Sequence, residues 1–139
     1  PIITGGVIVS KEIDGTRQNL SFQRMHVKGK DKFSIMINEW RHLKDFYDQA
    51  ESQGRALPIA VVIGADPVIY VGAGLRYDGD ETEIAGAIRK SPIEVVKCIT
   101  SDIYVPATAE FVIEGEILPD YRENSGATTA SRGTALWCR

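Results

Sequence analysis

Cysteine is scarce: the 139 residues contain two, Cys98 inside an apolar run and Cys138 beside the end of the sequence. Two cysteines so placed make no disulfide framework, and nothing resembles a secretory leader, so a reduced, cytosolic setting is expected. No apolar run approaches the roughly 20 residues that a membrane-crossing helix needs. A dominant charge is also lacking. The 16 Lys and Arg and 19 Asp and Glu are interspersed, for a net charge of -3, which leaves no basic stripe for nucleic acid or an anionic membrane. Neither partner is expected. There is no internal repeat, no His/Cys set at zinc spacing, no P-loop and no nucleophile elbow. The glycines of "GADPVIYVGAGL" lack the spacing of a dinucleotide loop. An initiator Met is absent too, and "PIITGGVIVS" enters a strand pattern at once, as a fragment or processed product would.

What is present is ordinary globular material, 43% hydrophobic and 25% charged, enough for one domain with its own core. The first forty residues read as a β-meander. "IITGGVIVS" is a strand, Asp14-Gly15 suits a tight hairpin turn, and "FSIMI" is another strand after "KGKDK". A helix is predicted over Asn38 to Gln53, with Trp40, Leu43, Phe46, Tyr47 and Ala50 at helical spacing, Asn38 as cap and Gly54 as stop. "LPIAVVIG" reads as a buried strand. Asp66-Pro67 then caps a short helix over "PVIYVGAG", and a second short helix covers "ETEIAGAIRK". "PIEVVKCIT", "IYVP" and "AEFVIEGEI" complete the strands. About six or seven strands clustered at both ends of the sequence, with three helices, predict an α+β fold built on a small barrel. Residues 1–118 form that domain, and 119–139 read as an irregular, disordered tail.

The stretch "NLSFQRMHV", Asn19 to Val27, breaks strand alternation in its middle. Leu20 and Phe22 are in phase with each other, whereas Met25 and Val27 are in the opposite phase. A β-bulge near Gln23 would restore all four to one core and place Asn19, Ser21, Arg24 and His26 together on the other face. On pattern alone, Asn19, Ser21 and Arg24 are then the solvated side of a half-buried strand. Asn38 and Glu39 are equally a helix cap and a first-turn acid, as are Glu81 and Glu83 on the later helix.

Longer blocks carry more. "GGVIVSKEIDGTRQNLSFQRMHVKGKDKFSIMI", "LPIAVVIGADP" and "EIAGAIRKSPIEVVKCITSDIYVPATAEFVIEGEI" resemble, in order and spacing, the central domain of UbiD-type aromatic and acrylic acid decarboxylases, which use prenylated FMN. The hydroxybenzoate and phenolic acid decarboxylases are the nearest subgroup. The resemblance runs from about residue 2 to residue 118 and implies a split β-barrel of the flavin-binding kind. It also implies non-oxidative decarboxylation of a small aromatic or unsaturated carboxylic acid, with the cofactor as electron sink.

Through the "NxSxxR" block, the resemblance makes Asn19 a ligand of a divalent metal, Mn²⁺ or Mg²⁺, that bridges to the cofactor phosphate. Ser21, with the backbone through Phe22 and Gln23, would hydrogen-bond the flavin ring, and Asn38 would touch its edge. Arg24 would pair with the substrate carboxylate. Hard cations favour oxygen ligands, and a guanidinium fork suits a carboxylate. Glu81 falls at a metal-binding glutamate, and the carbonyls of Tyr70 to Ala73 fall where some members bind a monovalent cation such as K⁺. Glu39 stands where many members carry a metal-binding histidine, and a carboxylate is also an oxygen donor.

The tail departs from the family pattern. Where members continue from "EGEI" into "EGPFGE", whose glutamates include the proton donor, this chain has "PDYREN", and Glu123 does not occupy the motif. The flanking domains of the family are not represented either. The expectation is a central-domain remnant, inactive alone, with apolar surface that favours self-association into a homo-oligomer. Two rivals remain open: a stand-alone flavin-binding split barrel, either reductase or carrier, and a non-catalytic subunit.

Overall fold

The computed structural model of the chain describes residues 1–39, 41–123 and 133–138. Trp40, expected on the apolar face of the first helix, lies outside them. Strands β1 (Ile2–Ile3), β2 (Val7–Lys11), β3 (Gln18–Phe22), β4 (Met25–Val27) and β5 (Lys32–Met36) precede helix α1 (His42–Ser52). Then come β6 (Leu57–Ile63), α2 (Pro67–Gly74), α3 (Glu81–Arg89), β7 (Val95–Lys97), β8 (Tyr104–Pro106), β9 (Phe111–Glu123) and β10 (Gly133–Cys138). Eight strands form one sheet in the order β1-β4-β5-β10-β9-β6-β2-β3, and β7 and β8 form a separate hairpin. The α+β expectation holds.

The described sheet is open: no ladder joins β1 or β4 to β3. Its two ends are nevertheless tied covalently. β3 ends at Phe22 and β4 starts at Met25, so one run of chain pairs with β2 through its first half and with β5 through its second. The sheet must curl for that run to reach both ends.

The curl creates an inside and an outside, and each has a core. Ile8, Met25, Ile35, Ile59, Val61 and Ile117 are buried inside with α1. Val7, Val9, Leu20, Ala60, Val62 and Ile69 are buried outside, under α2, α3 and the β7–β8 hairpin. Strands β2 and β6 are thus covered on both faces, which is why "VIV" and "IAVV" are unbroken apolar runs. Each fully buried aliphatic side chain contributes about 1.5–3 kcal/mol.

Two cores also explain the phase change in "NLSFQRMHV". Leu20 and Phe22 pack outside, whereas Met25 packs inside. Ser21 lies opposite Ile8 in the β2–β3 register, so it shares the inner face, and Met25 follows by an even step. Alternation therefore continues through Gln23 and Arg24. The expected bulge is not there: the β2–β3 and β4–β5 registers run without a shift. By the same count, Arg24 is in step with Leu20 and Phe22, and not with Asn19 and Ser21.

Helix α1 begins later than predicted, at His42, with Arg41 at the N-cap and no side-chain cap. Asn38 is spent on a turn before it, where its carbonyl accepts from the Arg41 N–H at 3.3 Å. Helix α2 matches expectation: Asp66 accepts from the Val68 N–H at 3.0 Å, and Pro67 fills the first turn. Asp80 caps α3 in the same way through the Thr82 N–H. The predicted irregular tail does not hold at 119–123, which extend β9, or at 133–138, which pair as β10 with both β5 and β9.

The β7–β8 hairpin docks beside β2 and β3 through polar contacts. The Gln18 side-chain amide donates to the Tyr104 carbonyl at 3.0 Å and accepts from the Tyr104 N–H at 2.7 Å, acting as one more rung of β-ladder. Asp102 receives Lys11 at 2.6 Å and Lys97 at 2.8 Å, and these lysines hold its carboxyl down at about 2.

Candidate functional site

Strand β3 is the last of its sheet, so alternate N–H groups point away from β2 with no strand to receive them. The Leu20 N–H is taken instead by Glu81 Oε2 at 3.0 Å. Glu81 can reach it because α3 begins beside β3 and α2 packs tightly on that start. A methyl group on Gly72 of α2 would lie 2.9 Å from the Glu81 carbonyl oxygen. Glycine at 72 is therefore what lets the helices close on each other and seat Glu81. Its carboxyl is buried, and burial pushes it above the usual carboxylate range against the opposing pull of the Leu20 N–H and of His42.

His42, at the start of α1, approaches the same carboxylate: Nδ1 lies 3.7 Å from Glu81 Oε1, and Nε2 lies 3.4 Å from Asp78 Oδ1. Arg17 sits over the ring, with one terminal nitrogen 3.3 Å from Nδ1 and 3.4 Å from Nε2. A guanidinium has only donors, so any hydrogen bond between them uses a ring-nitrogen lone pair of His42. Sequence reading missed His42 and looked to Glu39. Glu39 is exposed, as is Asn38, and neither makes a hydrogen bond or ion pair to Glu81, which is buried. The signal was available as the next histidine after the "NE" pair, but an assumed helix start at Asn38 gave the first turn to the wrong residues.

Along the inner face of β3 stand Asn19 and Ser21, with Gln23 in step just past its end, all buried. Among the described residues, Asn19 Nδ2, Ser21 Oγ and Gln23 Nε2 have no hydrogen-bond partner, and neither does Ser10 Oγ across from Asn19 on β2. An unpaired buried polar group costs about 1–3 kcal/mol, so a row of them marks a surface built to receive polar atoms from elsewhere. Phe22 faces the other way and stacks on Tyr70 with ring centroids 5.7 Å apart; only its backbone belongs to the row. Arg24 is exposed beyond the end of β3, and its guanidinium makes no hydrogen bond or ion pair among the described residues. Tyr70 to Ala73 fall within α2, where the Gly72 carbonyl already accepts from the Leu75 N–H at 3.1 Å.

The structure thus brings Asn19, Ser21 and Gln23 together, sets Glu81 and His42 beside them, and leaves Asn38, Glu39 and Arg24 at the surface. As for a cation, no group of three His, Cys, Asp or Glu side chains is arranged to hold one among the described residues. The Asn19 amide must supply a donor if His42 and Glu81 are to share a metal. Its oxygen is the ligand such a cation takes, and the burial of both Asn19 and Glu81 fits that role.

This is an open α+β sheet with a buried polar row on its edge strand, and comparison with known proteins places it. The family model described as "UbiD: 3-octaprenyl-4-hydroxybenzoate carboxy-lyase Rift-related domain" matches residues 1–134. The chain belongs to the UbiD family. It is 38% identical over 125 residues to phenolic acid decarboxylase of Bacillus subtilis (strain 168), a match that covers 86% of this chain and 26% of that protein. It is also 38% identical over 128 residues to anhydromevalonate phosphate decarboxylase of Methanothermobacter thermautotrophicus, covering 91% and 30% respectively. Among solved structures, the UbiD-class enzyme HmfF from Pelotomaculum thermopropionicum, in an evolved dimeric form in complex with prFMN, superposes with a TM-score of 0.92 at 38% identity. That match covers 99% of this chain and 34% of HmfF. The chain therefore spans between about a quarter and a third of the length of these relatives.

Proposed function

We propose that this chain is the cofactor-binding central part of a non-oxidative carboxy-lyase that uses prenylated FMN and a divalent cation, Mn²⁺ or Mg²⁺. The observation that carries the reading is the row of unpaired, buried polar groups at Asn19, Ser21 and Gln23, with Glu81 and His42 alongside. Bound prenylated FMN supplies an electron sink for the carbon that loses CO₂. Ser21 and Gln23, with the backbone through Phe22, hold the flavin ring. Asn19, His42 and Glu81 hold the cation, and a cation there favours the charged form of Glu81 that burial opposes.

Arg24 is exposed and unpaired among the described residues. Its guanidinium suits a substrate carboxylate bidentately, and to meet one beside the flavin it must swing from the Leu20 and Phe22 face around the end of β3. The substrates proposed are phenolic or related unsaturated acids, in keeping with the names of the relatives. No glutamate of this chain is assigned as proton donor, so the isolated chain binds without turning over. The working protein is a cytosolic homo-oligomer in this reading, and K⁺ near the end of α2 is a further expectation.

Titration of the purified chain with FMN in the presence and absence of Mn²⁺, followed by flavin fluorescence, tests the proposal. Saturable binding that Mn²⁺ strengthens and that Asn19→Ala abolishes is expected. Binding indifferent to Mn²⁺ and to Asn19 would overturn it.

A further inference from the structure

Ser10 has no role in anything described so far, yet its surroundings are unusual for a hydroxyl. It is 0% exposed and lies between Asn19 on β3 and Ile59 on β6 in one cross-strand row. Its inner-face neighbours are aliphatic: Ile8 two residues earlier on its own strand, and Ile59 opposite, both in the inner core. Only the Asn19 side is polar. Directly opposed residues of an antiparallel pair carry Cβ atoms about 4.5–5.5 Å apart on the same face, which sets the Ser10 and Asn19 side chains next to each other, a rotamer change away from a hydrogen bond. Neither Ser10 Oγ nor Asn19 Nδ2 makes a hydrogen bond, to the other or to anything else among the described residues.

An amide that ligates a hard cation does so through oxygen, and its NH₂ then needs an acceptor, because burial withholds water. A serine oxygen can supply that acceptor. We infer that Ser10 is a positioning residue: its hydroxyl oxygen accepts from Asn19 Nδ2–H and so fixes Asn19 with Oδ1 turned toward the divalent cation. This rests on the reading of Asn19 as a metal ligand. The role accounts for a hydroxyl where alanine or valine would pack without an unpaired group: the position gives up stability in the metal-free chain for orientation in the loaded one.

The two effects have opposite signs, and that makes them separable. Free Mn²⁺ is followed by electron paramagnetic resonance as the wild type, Ser10→Ala, Ser10→Thr and Asn19→Ala are titrated in the presence of FMN. Ser10→Ala is expected to weaken Mn²⁺ binding about 5- to 10-fold, as for loss of one orienting hydrogen bond, with metal-free thermal stability equal or higher. Ser10→Thr restores affinity. With Mg²⁺ in place of Mn²⁺, the Asn19 side-chain amide protons exchange slowly in the wild type and fast in Ser10→Ala, a change that a packing role would not produce.

Unaltered affinity and amide exchange in Ser10→Ala, with Asn19→Ala still losing Mn²⁺, would refute the role of Ser10 and leave the metal reading standing. A wild type that takes up no Mn²⁺ would refute both. If Ser10→Ala does not fold, the hydroxyl is structural and the inference fails, unless Ser10→Cys, which keeps the shape with a poor acceptor, folds and binds weakly.

Discussion

Replacing Gly72 with alanine puts the seating of Glu81 to the test. The added methyl carbon would stand 2.9 Å from the Glu81 carbonyl oxygen and 3.5 Å from Ala85 Cβ. The first contact is with backbone, so no side chain can swing aside, and α2 and α3 must separate by about half an ångström to reach ordinary contact. Overpacking of this kind costs about 1–3 kcal/mol, and alanine returns up to about 1 kcal/mol of helix propensity relative to glycine. The net loss is about 1–2 kcal/mol, or roughly 3–8 °C in Tm for a chain of this size.

Gly74 supplies the control. It ends the same helix with nothing within 4 Å of its added carbon, so Gly74→Ala takes the propensity gain without the clash. Thermal unfolding should therefore rank Gly74→Ala at or above the wild type and Gly72→Ala below it. Hydrogen exchange should show the Leu20 amide losing protection in Gly72→Ala alone. Equal stability of the two variants, with Leu20 still protected, would refute the claim that helix contact at Gly72 seats Glu81.

Glu81→Gln keeps an oxygen for the Leu20 N–H while removing a buried charge. Because the folded carboxyl titrates above the unfolded value of 4.5, its penalty is full above the folded pKa and vanishes as pH falls below the unfolded one. The metal-free variant should match or exceed the wild type in denaturant at pH 7, with the difference closing toward pH 4; lower stability at pH 7 would contradict this. Asp102 behaves in the opposite sense, since its carboxyl is held at about 2 against 3.8 in the unfolded chain. Its hold on the β7–β8 hairpin should be complete above about pH 4 and lost as pH falls toward 2, a dependence that Asp102→Asn should remove from the exchange of the Cys98 amide, which bonds the Ile103 carbonyl at 2.8 Å.

Local signals were legible where one short segment held all the information. Asp66-Pro67 announces α2 because a side-chain acceptor and a residue without an N–H are what a first helical turn requires, and Asp80 does the same for α3. The start of α1 was not legible: Asn38 is as good a cap as Asp66 in isolation, but its carbonyl is committed to a turn with Arg41, and that error hid His42. The phase change at Gln23 was visible and misread. An alternation test presumes one buried face, whereas Leu20 and Met25 serve cores on opposite sides of a curled sheet. The Ser10–Asn19 pairing depends on cross-strand register, and β10 depends on partners, β5 and β9, that no local pattern in "GTALWC" announces.

That β10 stands between β5 and β9 has a kinetic consequence. The ladders divide into β1-β4-β5 on one side and β9-β6-β2-β3 on the other, and among the described strands β10 alone bridges them. During synthesis both halves leave the ribosome before residues 133–138 exist, each with an unsatisfied strand border, so joining them waits on one of the most distant pairings in the chain. Such late, long-range closure slows folding and prolongs exposure of edges on which other chains can assemble, and shortening the chain by a few residues at that point would leave both borders permanently uncovered.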